Sequence, residues 1–131
     1  MVMIKVQPKY NSENKGHYSP GVISNGMLYV SGQLSVDPDT RELPAGGVKD
    51  HARQALSNVD RVLKEAGAAR ADVVQCRIYI IGVQNWDAVN EVYAEFFGNH
   101  KPARIVVPVP ELHGGSLVEI EAVAELGDHN G

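Results

Sequence analysis

The ten residues DVVQCRIYII, residues 72–81, decide the architecture. They are β-branched and aromatic-rich, and they read as one strand. Side chains alternate along a strand, so Cys76, Ile78 and Ile80 share one face and Tyr79 and Ile81 the other. Both faces are largely apolar, and each must be covered. On the downstream side, residues 86–97 read as a helix with Val89, Val92, Tyr93, Phe96 and Phe97 as its buried stripe. Asn85 stands where a cap would start it and Gly98 ends it. On the upstream side, residues 48–66 place Ala52, Ala55, Leu56, Val59, Val62, Leu63 and Ala66 at helical spacing, with Gly67 as a C-terminal cap. Gln54 and Asn58 read as solvated polar positions near that stripe. Two amphipathic helices can cover one face of a sheet but not both. In a chain of 131 residues another copy of itself is the economical cover for the second face.

The remaining strands follow from local signals. Residues 2–7 alternate well enough for a short strand, ended by Pro8. Asn25-Gly26 between residues 22–24 and 27–31 predicts a hairpin, because this pair supplies the positive φ angles of a type I′ turn. Gly32, next to Gln33, marks a bulge or a close backbone approach. Residues 104–109 and 117–125 read as two strands joined by a loop, and residues 127–131 as a frayed polar tail. The expectation is a single α+β domain over residues 1–131, a mixed sheet with two helices on one face, assembled as a homo-oligomer.

Composition narrows the function. The net charge of −4 and pI near 5.7 argue against a general nucleic-acid binder, which needs a basic surface. A lone cysteine, Cys76, in an apolar strand reads as a buried inert thiol and leaves no disulfide framework. There is no apolar leader and no apolar run of about 20 residues, so a soluble cytoplasmic protein without membrane contact is expected. No phosphate loop, dinucleotide fingerprint, nucleophile elbow or metal-ligand spacing is present.

What remains is Arg104, Glu119 and the loop His113-Gly114-Gly115-Ser116. A guanidinium can grip a carboxylate through two parallel N–H bonds, and a glutamate can take a proton from water or hold it in line with an electrophile. That set suits hydrolysis of a small, already reactive, carboxylate-bearing substrate. Spacing alone favours an Arg–Glu ion pair bracing two strands. Tyr18 is either a ring packed on the surface or a phenol at a pocket mouth.

Read together, several segments resemble the RidA/YjgF family of reactive enamine/imine deaminases, also named L-PSP endoribonucleases or translation-initiation inhibitors. The carriers are Asn25-Gly26 with Tyr29-Val30-Ser31-Gly32-Gln33, Gln54-Ala55-Leu56-Ser57-Asn58-Val59, Ala66-Gly67, Val89-Asn90 with Tyr93 and Phe96-Phe97, Pro102-Ala103-Arg104, and Val118-Glu119-Ile120-Glu121-Ala122-Val123-Ala124. The resemblance implies a chorismate-mutase-like α+β fold and a homotrimer with ligand clefts between subunits. It implies that Arg104 holds the substrate carboxylate and Glu119 positions the attacking water. Tyr18 and the turn Ser31-Gly32-Gln33 would line the cleft. One position and one loop depart from the best-known deaminases. Val106 stands where they carry a cysteine, and the loop of residues 110–116, with His113, is more similar to branches near 2-aminomuconate deaminase.

The resemblance therefore implies a cofactor-free deaminase converting small 2-imino or 2-enamino acids, such as 2-aminoacrylate/2-iminopropionate, to 2-keto acids and ammonia. The alternatives are a non-catalytic binder of small keto acids and, from the family's older name, an endoribonuclease.

Overall fold

The computed structural model describes residues 2–127. The eight main elements are β1 (Ile4–Val6), β2 (Gly21–Ser24), β3 (Met27–Leu34), α1 (Val48–Glu65), β4 (Val73–Ile81), α2 (Trp86–Phe97), β5 (Ala103–Val109) and β6 (Val118–Glu125). The six strands form one mixed sheet in the order β1-β2-β3-β6-β4-β5. The pairs are antiparallel except β4 with β5, which α2 joins in parallel by a crossover.

Elements of helical or alternating pattern lie where the sequence predicts them, because each has a full apolar face to bury. On α1 the buried residues Ala52, Ala55, Leu56, Val59, Val62 and Leu63 recur every three or four positions. They pack on Leu28, Val30, Cys76, Ile78, Ile80, Val118, Ile120, Ala122 and Ala124, all from one face of the sheet. Gly67 ends the helix at φ 79°; its N–H and that of Ala68 close on the carbonyls of Lys64 and Leu63. Asn25 and Gly26 adopt φ 56° and 78°, as the hairpin turn requires. The opposite face of the sheet is uncovered: Tyr29 is 49% exposed and Ile105 53%.

Several expectations need correction. The first strand is shorter than residues 2–7. The strands flanking the loop of residues 110–116 are not neighbours, because β4 lies between β5 and β6. The parallel β4–α2–β5 crossover puts β5 at the edge, and the chain then returns to the gap between β4 and β3. Asn85 does not cap α2 with its side chain; its Nδ2 donates to the Ile81 carbonyl at 2.8 Å. Asn58 is not solvated. It is buried, and its Nδ2 donates to the carbonyls of Leu34 and Val36 at 3.0 and 2.8 Å, where β3 has run out of strand partners. Of the expected tail at residues 127–131, residues 128–131 lie outside the described residues.

Candidate functional site

Arg104 sits on the edge strand β5, opposite Cys76, and therefore on the helix-covered face of the sheet. Its guanidinium carbon lies 4.8 Å from the Tyr93 ring centroid and 5.2 Å from that of Trp86. Its Nη1 donates to Asn90 Oδ1 at 2.8 Å. Trp86, Asn90 and Tyr93 follow i, i+4, i+7 spacing on α2, so one helix face holds the fork from one side. Among the described residues no carboxylate pairs with Arg104. Val106 shares its face, opposite Ile78. The nearby Tyr93 hydroxyl is buried with no oxygen or nitrogen partner, and Cys76 lies beside it. Burial pushes the Cys76 thiol up to about 11, which makes it the inert thiol the sequence predicts.

Glu119 lies on the other face. It stands opposite Tyr79 on β4 and Leu34 on β3, while Arg104 stands opposite Cys76; three positions apart, Tyr79 and Cys76 point to opposite sides. The Arg104–Glu119 ion pair that spacing allows does not form, because the two side chains have the sheet between them. Gly32 explains how Glu119 fits. A Cβ at Gly32 would come within 2.8 Å of Glu119 Oε2, so the bulge between Val30 and Gln33 needs glycine for the carboxylate to lie on it. Burial, then the neighbouring Glu121, raise the Glu119 carboxyl above its ordinary range, with His113 opposing them. His113 itself is exposed in a short 3-10 turn, His113–Gly115.

Ser31 secures the loop that carries Tyr18: its N–H donates to the Pro20 carbonyl at 2.9 Å and its Oγ to that of Ser19 at 2.6 Å. Gln33 Nε2 donates back to the Ser31 carbonyl at 3.0 Å. Tyr18, Gly32 and Gln33 line a cavity of about 70 Å³ together with Asn14, whose amide donates to the Tyr18 hydroxyl.

The expected residues thus fall into two sets. Glu119, Gly32 and His113 gather on the open face, with Tyr18, Ser31 and Gln33 adjoining through the Gly32 bulge. Arg104 and Val106 lie on the opposite face at the β5 edge. Within one chain the sets do not converge. Sequence reasoning missed Trp86 and Asn90 around Arg104; the signal was their helical register with Tyr93. It also missed a buried group of Ser35, His51 and Ser116, which periodicity does not reveal. Among the described residues no three His, Cys, Asp or Glu side chains converge as a metal site would require.

A two-helix, six-stranded α+β sheet with an arginine fork at one edge and a bulge-seated glutamate defines a recognisable class. The sequence profile of the family described as Endoribonuclease L-PSP matches residues 10–126. The chain belongs to this family, that of the RidA/YjgF proteins. It is 39% identical over 112 residues to the human 2-iminobutanoate/2-iminopropanoate deaminase, covering 86% of this chain and 82% of that one. Its fold superposes on a Rid-family protein, YyfA from Yersinia pestis, with a TM-score of 0.89 at 37% identity, covering 95% and 99% of the two chains. It also superposes on E. coli TdcF with bound serine, with a TM-score of 0.84 at 33% identity, covering 92% and 98%.

Proposed function

We propose that this chain is an imine/enamine deaminase acting on small 2-imino acids, and that it works as a homotrimer with the reaction in the clefts between subunits. The observation that carries this reading is the Arg104 fork: stacked, oriented by Asn90, and paired with no carboxylate among the described residues. A guanidinium held this way fits a planar carboxylate ligand, with about 1.5–3 kcal/mol per charge-assisted bond. The open sheet face supplies a surface on which another copy would bring the partner subunit's Glu119 towards Arg104. The naming of the human relative as a 2-iminobutanoate/2-iminopropanoate deaminase supports the chemistry, and the serine bound by TdcF supports a small amino-acid-like occupant.

In the proposed reaction Arg104 holds the carboxylate and Glu119 holds a water against the imine carbon. The water oxygen bonds to C2 as Glu119 takes one of its protons, and Glu119 passes that proton to the imine nitrogen. The resulting carbinolamine expels ammonia as its hydroxyl becomes the carbonyl, so imino acid and water give 2-keto acid and ammonia. The raised carboxyl of Glu119 brings its proton affinity closer to that of a useful base near neutrality. Val106 and His113 would face the substrate side chain.

The test is ammonia release from 2-iminopropanoate generated enzymatically in the assay. The expected result is turnover by the wild type and loss of it by Arg104→Ala. Equal rates for the two proteins sink the reading. Calorimetric binding of 2-keto acids without turnover would instead make the chain a binder. RNA cleavage that needs Arg104 would favour the nuclease after which the family is named.

A further inference from the structure

We propose that His51 is a positioning residue for the Glu119 half of the site, holding the entry to β6 through its ring only while that ring is neutral; its activity readout rests on the deaminase reading above. His51 lies in the first turn of α1 and is 4% exposed. Its Nδ1 is met by two donors. The Leu117 backbone N–H points at it from 3.1 Å, and Ser35 Oγ lies 2.6 Å away. A backbone amide can only donate, so Nδ1 must carry its lone pair and the proton of the neutral ring sits on Nε2. Ser35 Oγ–H is then a donor as well. Ser116 completes the group, its Oγ accepting the Ser35 N–H at 3.2 Å. Ser35 and Ser116 are 0% and 1% exposed.

These bonds join three segments: the start of α1, the exit from β3 and the entry to β6. Glu119 lies two residues beyond Leu117 and stands opposite Leu34, the residue before Ser35. The 3-10 turn bearing His113 ends at Ser116. Both backbone segments that locate Glu119 and His113 are therefore tied to one imidazole. A proton on Nδ1 would set N–H against N–H at Leu117 and strip Ser35 of its acceptor. The groups bonded to the ring, Ser35 Oγ and the Leu117 amide, do not titrate, and neither does Ser116 behind Ser35. The charged group facing it is Asp50, its neighbour on α1. Burial holds the ring's proton affinity below its ordinary value of 6.5, with Asp50 opposing. The linkage follows: this contribution is present above that ordinary value and is lost as pH falls through the lower folded one.

His51→Asn separates the roles, because asparagine Oδ1 can stand where Nδ1 stands and cannot take a proton. Two groups govern the acid limb of kcat/KM in the wild type, Glu119 and His51, so its logarithmic slope is expected to approach about 2. In His51→Asn only Glu119 remains and the slope falls to about 1, with rates near pH 8 within about threefold of wild type. His51→Leu, which has no acceptor, loses rate at every pH. Equal slopes in wild type and His51→Asn overturn the proposal. If the wild type releases no ammonia, the deaminase reading fails but this inference is still decided by hydrogen exchange at the Leu117 amide. Its protection must collapse in the wild type as the His51 ring protonates, and persist in His51→Asn. Should that variant not fold, His51 protonation by ¹⁵N shifts and Leu117 protection are compared in the wild type; protection unchanged through the titration overturns the proposal.

Discussion

At the scale of single residues, Arg104 and Glu119 carry different burdens. Arg104→Lys keeps the charge but loses the planar fork and its stacking on Trp86 and Tyr93. Losing one charge-assisted bond should raise KM for a 2-imino acid roughly 10- to 100-fold, at about 1.4 kcal/mol per tenfold, measured by initial-rate kinetics. Glu119→Gln should cut kcat by about 10²–10⁴ while leaving 2-keto acid affinity, read by calorimetry, nearly unchanged. The same change should raise Tm at neutral pH. A carboxyl whose folded pKa is raised binds its proton more readily in the native state than in the unfolded one. Native stability therefore falls as pH rises through that window, and an uncharged side chain avoids the loss. A variant that is both more stable and inactive would mark Glu119 as a site residue rather than a brace.

Among the elements, the exit from β3 is the joint that places the bulge, Ser35 and the Glu119 partner Leu34. Asn58 closes it by donating to two carbonyls that strand pairing leaves free. Asn58→Ala should cost about 2–3 kcal/mol in urea unfolding, because buried acceptors lose their donor. Ile80→Ala, at a fully buried position where β4 meets the helices, should cost about 2–5 kcal/mol by leaving a cavity. The elements themselves were largely legible from the chain. A helix such as α1 repeats its apolar residues over 18 positions, and Asn25-Gly26 can hardly do other than turn. What pattern could not show was the use of isolated polar residues. Asn58 and His51 are polar residues beside the apolar stripe of α1, and only the strands that end opposite them make them buried anchors.

For the whole molecule, the open sheet face and the divided site make one prediction. If turnover needs a neighbouring copy, Ile105→Glu on that face should shift the mass by light scattering from that of the proposed trimer to that of a monomer. It should lower turnover about a hundredfold or more by separating Arg104 from the partner subunit's Glu119, with the circular dichroism spectrum retained. An unchanged mass with lost turnover would place Ile105 in the site rather than in the contact.

The chain by itself determined the elements, the hairpin, the helix-covered face and the residue types able to do the chemistry. These depend on periodicity and on turn residues, which are local properties of sequence. Tertiary structure alone decided that β4 runs between β5 and β6. That order sends Arg104 and Glu119 to opposite faces, because alternation along a strand fixes a side only relative to its neighbours, and the neighbours are chosen by the crossover through α2. The distance in sequence between residues 104 and 119 contains no information about which strand will separate them.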